Sequence, residues 1–207
     1  MNHFSFRPIL VPLIGAALCF ILSPRSGEAR KDGYIAHFSG RAISVADERP
    51  EGPVNIFIQH WSTDAERESL VGTLVKSGPD KLLPALQKLP RRAGVVLMPG
   101  VQELGARTRT RTPRNLLFAR DIMTPTGRRI IAAAGQHLGI GEPARHARLN
   151  ETEEFTLIDI RFGPDGQGVG KLAKADDVAY DKSMNVLEVK DYADKPVRLA
   201  DVRIERP

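Results

Sequence analysis

The most unusual run of charged residues in this sequence is a short basic segment near its middle. Arginine alternates with threonine from Arg107 to Arg111, and Arg114 follows after Pro113. In an extended chain alternate side chains lie on opposite faces, so Arg107, Arg109 and Arg111 would form one row. Guanidinium groups bind phosphates and sulfates through paired hydrogen bonds. The row, extended by Arg114, predicts an anion-binding site; the alternative is a solvated loop or an edge strand protected by its charge.

The chemistry of the segment indicates which anion to expect. Proteins that bind nucleic acid usually interleave aromatic rings with their basic residues, and no aromatic residue interrupts this segment. The formal net charge of +5 over 207 residues is compatible with an anionic partner and does not require one. We therefore expect an anionic polymer of the cell envelope rather than nucleic acid.

The single tryptophan is the second candidate binding residue. Trp61 lies where a predicted strand gives way to a predicted helix. One interpretation is that it packs the helical part onto the sheet. The other is that it forms the wall of a pocket at the open end of a barrel, where aromatic rings often line a cavity. In the second case Trp61 would contact a small apolar ligand.

Common catalytic and metal-binding patterns are missing from the sequence. It contains no Gly-x-Ser-x-Gly elbow and no glycine-rich phosphate loop before a helix. Asp165–Gly168 resembles a calcium loop but lacks oxygen ligands at alternating positions, so we expect a hairpin turn there. The histidines after the first thirty residues lack the short spacing of zinc motifs. They are His37, His60, His137 and His146. We expect no metal and no cofactor.

The first 29 residues have the organisation of a secretory signal peptide. A basic residue precedes an apolar run from Ile9 to Leu22, and small residues, Gly27 and Ala29, stand before the expected cleavage site. The apolar run is shorter than the roughly 20 residues needed to span a bilayer. We expect a mature chain of residues 30–207 with no membrane span, in the periplasm or outside the cell. Cleavage would remove Cys19, the only cysteine, so the mature chain would have no disulfide.

The mature chain alternates strand-forming runs with turns, which predicts one α+β domain made mostly of antiparallel sheet. Repeated short strands separated by Gly, Pro, Asp and Asn are typical of a sandwich or a partly closed barrel. Asp47–Pro53 is expected to end the first ladder because proline cannot donate to it. The predicted strands cover 34–45, 54–61, 94–98, 116–123, 129–134, 155–162, 171–180, 186–192 and 197–204.

One helical hairpin is predicted between the second and third strands. Thr63 and Glu66 have the spacing of a capping box, which begins a helix, and Gly78 with Pro79 ends it. A second helix follows, and Pro84 should kink or shorten it because its ring excludes an internal hydrogen bond.

Five stretches of the chain are similar to known sequences. They are Ile56–Arg67, Gly78–Leu83, Leu86–Lys88, Phe155–Arg161 and Pro196–Leu199. Together they resemble an uncharacterised family of secreted bacterial proteins. The resemblance extends from about Ile56 to Arg203, with departures at His60 and Pro84. It implies a secreted single domain and carries no activity, ligand or catalytic residue.

The sequence as a whole favours a non-catalytic binding module of the periplasm or cell exterior. Its ligand would be a small apolar molecule or a component of the envelope. Two alternatives stay open. One is a secreted hydrolase that gathers histidines and carboxylates from loops, and the other is anionic-polymer binding through Arg107–Arg114.

Overall fold

The computed structural model describes residues 33–99, 113–140 and 154–205. Over these ranges the chain forms ten strands and two short α-helices. The strands are β1 (Ala36–Ile43), β2 (Pro50–Ile58), β3 (Gly94–Leu97), β4 (Pro113–Thr124), β5 (Gly127–Ala134), β6 (Thr156–Phe162), β7 (Gly168–Ala173), β8 (Val178–Asp181), β9 (Val186–Val189) and β10 (Leu199–Glu205). The helices are α1 (Asp64–Ser77) and α2 (Leu82–Gln87).

Eight of the strands form one closed barrel in the order β1-β10-β7-β6-β5-β4-β3-β2. Neighbouring strands are antiparallel, and β10 closes the barrel by pairing with β1. β8 and β9 leave the barrel wall between β7 and β10 and pair with each other. The predicted antiparallel architecture is confirmed, and the sheet closes completely, which the sequence alone had left undecided.

The two ends of the barrel have different connections. Because neighbours run antiparallel, the connections after β2, β4 and β6 lie at one end, which we call the upper end. The connections after β1, β3, β5 and β7 lie at the other, the lower end. The turn from β4 to β5 and the helices therefore leave from the upper end.

Large apolar side chains fill the interior of the barrel, as expected for eight strands. Phe38, Ile56 and Leu199 border a gap that has no room for a water molecule. Two glycines of β7 accommodate bulky neighbours. A Cβ on Gly168 would lie 2.9 Å from the ring of Phe162, and a Cβ on Gly170 would lie 2.9 Å from Leu199 Cβ. The interior is a packed core rather than a channel.

A second apolar core lies on the outside of the barrel wall. Leu70 of α1 and Leu86 of α2 are buried against outward-facing residues of β4, β5 and β6. The β8–β9 pair contributes Val178 and Leu187 to the same core. The helices and the β8–β9 pair therefore form an outer layer over part of the wall.

The predicted start and end of the first helix are confirmed. Thr63 Oγ1 accepts a hydrogen bond from the Glu66 amide, and the Glu66 carboxylate accepts one from the Thr63 amide, which completes the capping box. Gly78, with φ at 83°, ends α1. The second helix is cut to six residues around Pro84 and follows a 3₁₀ turn. That α1 and α2 act as one hairpin stays a prediction.

Two strand predictions are wrong. Pro50–Pro53 was expected to end the ladder, yet it lies within β2, where Pro53 pairs with Arg41 of β1. Among the described residues, β3 pairs with the later part of β2, Asn55–Ile58. The strand expected over 171–180 is broken by a 3₁₀ turn at Ala175–Asp177, and its second half becomes β8.

The expected signal peptide, residues 1–29, lies outside the described residues. In the part of the chain that the structure describes, no helix is long and apolar enough to cross a membrane.

Candidate functional site

Trp61 lies at the upper end of the barrel, directly after β2. It is partly buried and packs against the core inside the barrel, not against the outer core beneath the helices. The next residue anchors the chain to β4: the Ser62 amide donates to the Ala119 carbonyl at 2.8 Å, and the Ala119 amide donates to Ser62 Oγ at 3.1 Å. Both interpretations of Trp61, as a contact between helix and sheet and as the wall of a pocket, stay predictions. Trp61 lines neither of the two clefts described below.

The basic segment is only partly described. Arg107, Arg109 and Arg111 lie outside the described residues, whereas Arg114 is the second residue of β4, at the lower end of the barrel. Arg114 pairs across the ladder with Val96 and is partly exposed. The extended conformation expected for this segment is thus present at Arg114.

In the described part of the chain, the contact between a histidine and a carboxylate is a long one. His137 Nδ1 lies 3.9 Å from Glu154 Oε2, which is longer than a hydrogen bond. His37 bonds to the Asn55 side chain at 3.0 Å and stacks on Phe57, on the outer face of β1 and β2. His146 lies outside the described residues. The described residues contain no group of three or more metal-ligating side chains.

A cleft of about 210 Å³ opens at the lower end of the barrel, and we call it the lower cleft. Its apolar lining comes from Ile140, Leu172, Ala173 and Pro196. Ile140 is 1% exposed and belongs to the core inside the barrel, against which Leu172 also packs. The floor of the cleft is therefore continuous with the barrel interior.

The chain after β5 is held in place by Thr156, the first residue of β6. Thr156 Oγ1 accepts a hydrogen bond from the Leu138 amide at 3.1 Å and donates to the Gln136 carbonyl at 3.2 Å. These bonds fold the segment across the lower end, so that Leu138 and Ile140 join the interior core. The hydroxyl of Thr156 lines the lower cleft with both of these bonds formed.

Basic side chains surround the apolar floor of the lower cleft. Lys174 pairs with Glu154 at 3.2 Å, and Lys195 pairs with Asp177 at 2.6 Å. Arg198 Nη1 donates to the Ile140 carbonyl at 3.4 Å. Asp177 also lines the cleft, so the rim carries three cationic side chains, Lys174, Lys195 and Arg198, against one lining carboxylate. An apolar floor with this excess of positive charge can hold an amphiphilic molecule whose head group is negative, because each part of the molecule meets matching chemistry.

A network of charged residues occupies the outer wall beneath β8 and β9. Arg129 donates to both oxygens of Asp159, at 3.0 and 2.6 Å, and to Glu188 at 3.2 Å. Asp159 is fully buried and Arg129 is 5% exposed. Arg161 also donates to Asp159, and its guanidinium lies 3.6 Å above the ring of Tyr192. These contacts attach the β8–β9 pair to the barrel wall through charged groups.

Burial and charge shift the pKa values of three groups in this network. Burial disfavours the charge on Arg129, but the hydrogen bond and charge of Asp159, with those of Glu188, outweigh burial and raise the pKa of Arg129. Burial raises the pKa of Tyr192 to about 12, and the charge of Asp159 adds to this effect. The hydrogen bond from Ser183 lowers the pKa of Asp181, against the opposing effect of burial.

The sequence analysis missed the residues of both the lower cleft and the charged network. The cleft combines residues near 140, 172 and 196 that no local pattern joins. The network did leave a signal: Asp159 is a charged residue within the apolar strand Leu157–Ile160, and Arg129 begins an apolar run in β5. Charged residues in such strands are buried only with partners.

Comparison of the chain with models of protein families, with curated proteins and with solved structures finds no significant match in any of the three.

Proposed function

We propose that this protein is a non-catalytic binding module, exported to the periplasm or beyond, which holds a small amphiphile with an acidic head group in the lower cleft. One observation carries the proposal: the cleft joins an apolar floor, continuous with the barrel core, to a rim that bears Lys174, Lys195 and Arg198. The acidic amphiphile is one form of the small apolar ligand or envelope component expected from the sequence.

The size of the lower cleft limits the ligand. Its volume of about 210 Å³ is below the range of roughly 300–1,000 Å³ typical of pockets for drug-sized molecules. A short alkyl chain fits this space, with the chain against Ile140 and Leu172 and the head group beside Lys195 and Arg198. Each buried methylene contributes about 0.8 kcal/mol, so affinity should rise up to about fourfold per added carbon until the cleft is full.

The polar groups of the lower cleft support binding rather than catalysis. The Thr156 hydroxyl donates to a backbone carbonyl, which leaves its proton engaged rather than directed at a base. Cations at the rim can neutralise a head group without moving a proton.

The proposal is tested by calorimetric titration with octanoate and with octanol. We expect octanoate to bind, and octanol to bind more weakly because it lacks the charge that the rim recognises. Lys195→Gln should weaken octanoate binding roughly tenfold, as expected for the loss of one charge-assisted hydrogen bond, and should leave octanol binding nearly unchanged. Lys88→Gln makes the same charge change at an exposed position after α2 and serves as the control. Absence of octanoate binding, or equal binding by all variants, would overturn the proposal.

The anionic-polymer alternative is kept as a second proposal, because Arg114 lies at the same end of the barrel as the basic rim of the lower cleft. Reversing the charge of Arg107, Arg109, Arg111 and Arg114 to glutamate should abolish retention on heparin. Retention that survives this change would remove the alternative.

A further inference from the structure

A second cleft, which we call the arginine cleft, lies at the upper end of the barrel. Its volume is about 250 Å³. It is bordered by the turn from β4 to β5, by the end of β6 and by the connection between β8 and β9. Its charged lining consists of Arg128, Arg129, Arg161 and Asp181. It shares no lining residue with the lower cleft.

The three arginines of this cleft use the same edge of the guanidinium group to bind carboxylates of the protein. Arg128 donates from Nε and Nη2 to Asp121, at 2.8 and 2.6 Å. Arg129 donates from Nε and Nη2 to Asp159, at 3.0 and 2.6 Å. Arg161 donates from the same two nitrogens to Asp159, at 3.4 and 3.2 Å. The carboxylates thereby fix the plane of every guanidinium.

The remaining nitrogen, Nη1, forms no hydrogen bond in any of the three arginines within the described part of the chain. The contact of Arg129 Nη1 with Asp181 is 3.7 Å long, which exceeds a hydrogen bond. Each Nη1 carries two N–H groups. The side chain of Arg129 is only 6% exposed, yet it lines the cleft. The Nη1 N–H groups without a hydrogen bond therefore belong to a side chain that is otherwise buried. Stacking on Tyr192 holds Arg161 in place as well.

From this geometry we propose that the arginine cleft binds a tetrahedral oxyanion, the phosphate or sulfate group of a small ester, through the Nη1 groups of Arg129 and Arg161, which lie on the outward face of β5 and β6. Arg128 lies on the inward face of β5, with its guanidinium 5.8 Å from the centre of the Phe38 ring, and borders the cleft from that side. A phosphate or sulfate group offers several acceptor oxygens to several donors at once. A nucleobase finds no stacking surface here, because Phe162, the aromatic residue of the lining, is 5% exposed.

The site should recognise its ligand by hydrogen-bond geometry more than by net charge. Asp121, Asp159 and Glu188 already neutralise the three guanidinium groups, and Asp181 adds one further negative charge. The cleft therefore has no long-range attraction for an anion, and what distinguishes a phosphate or sulfate is its ability to accept several fixed N–H groups. Chloride, which has no separate acceptor atoms, should compete poorly.

The carboxylate of Asp181 lines the same cleft and would repel a bound oxyanion. A variant without this charge therefore tests the proposal by a gain of affinity instead of a loss. Asp181 Oδ1 accepts hydrogen bonds from the Ser183 amide and hydroxyl, at 2.9 and 2.6 Å, so an asparagine can keep the turn while losing the charge. Asp181→Asn should therefore strengthen anion binding. A gain of affinity cannot be produced by partial unfolding.

The experiment is a titration of the full chain with inorganic phosphate and with inorganic sulfate, followed by NMR at the amides of Thr126, Arg161 and Met184. We expect saturable shifts at these amides. Arg161→Gln should weaken binding roughly tenfold, and Asp181→Asn should strengthen it severalfold. Arg203→Gln, an equal charge change at an exposed position of β10, is the control.

Three results would overturn the proposal: no shifts with either anion, equal affinity of the Arg161→Gln variant, or an unchanged or weaker affinity of the Asp181→Asn variant. Preference for phosphate over sulfate, or the reverse, identifies the kind of ester. Because these residues do not line the lower cleft, failure here leaves the octanoate result unaffected.

Discussion

Asp159 is the residue on which the charged network of the outer wall depends. It is fully buried and accepts hydrogen bonds from both Arg129 and Arg161. Burying charged groups is costly, and removing one partner leaves the others desolvated without compensation. The free energy of unfolding should therefore depend far more on Asp159 than on the carboxylate of an exposed ion pair.

Asp159→Asn should lower the free energy of unfolding by about 3–5 kcal/mol, because it leaves Arg129 buried beside a neutral amide. Urea denaturation measures this. The matched control is Asp201→Asn, which removes the carboxylate of an exposed pair with Arg41 whose side chains are 39% and 58% exposed. The control should cost no more than about 1 kcal/mol. Equal losses in the two variants would show that the network stabilises no more than a surface pair.

Tyr192 gives the same network a pH dependence. Since its pKa in the folded protein is about 12, above the value of about 10 in an unfolded chain, the folded state holds the phenolic proton more tightly. Its contribution to stability is complete below pH 10 and is lost as the pH rises towards 12. Tyr192→Phe keeps the ring beneath Arg161 and removes the ionisation.

The variant should therefore lose less stability than the wild type between pH 10 and pH 12, as measured by urea denaturation at a series of pH values. Other groups titrate in this range in both proteins, so the difference between the two curves isolates Tyr192. Parallel curves of unfolding free energy against pH for the two proteins would contradict the raised pKa of Tyr192.

At the scale of elements, Gly94 shows how closely two strands approach. A Cβ at this position would lie 2.0 Å from the Phe57 carbonyl oxygen of β2. Gly94→Ala must therefore push β3 away from β2 and should destabilise the protein by about 1–3 kcal/mol or more. On α1, Gly72 has nothing within 4 Å, so Gly72→Ala should stabilise by about 0.5–1 kcal/mol. Thermal unfolding should show a lower midpoint temperature for Gly94→Ala and a higher one for Gly72→Ala. A shift of both midpoints in the same direction would contradict this expectation.

The elements that the sequence predicted well are those with a strong local pattern. The capping box at Thr63 and the alternation of Val54, Ile56 and Ile58 both appear as expected, because each depends on residues close in the chain. Pro53 was misplaced because its place in β2 depends on pairing with Arg41 of β1, which is a property of the sheet rather than of the segment. The break before β8 likewise has no local signal as strong as the capping box, and the chain passes through a 3₁₀ turn at Ala175–Asp177.

At the scale of the whole molecule, closure of the barrel and formation of the lower cleft depend on distant residues. β1 and β10 come from opposite ends of the described chain, and nothing local in either strand indicates that they pair. The lower cleft likewise needs Ile140, Leu172 and Arg198 brought together by that closure. The sequence could therefore predict a sheet of this class, but not the positions of the clefts.

The packed interior bears on where this molecule can hold a ligand. The barrel core leaves no room for a water molecule beside Phe38 and Ile56, whereas the lower cleft has a volume of about 210 Å³. The lower cleft is therefore the site at which we propose that an acidic amphiphile binds.

NMR of the full chain with methyl-labelled Ile, Leu and Val, titrated with octanoate, tests this proposal. We expect saturable shifts at the methyl groups of Ile140 and Leu172, while those of Val54 and Ile56, deeper in the barrel, stay unchanged. No shift at Ile140 and Leu172, or shifts spread through the barrel core, would contradict it.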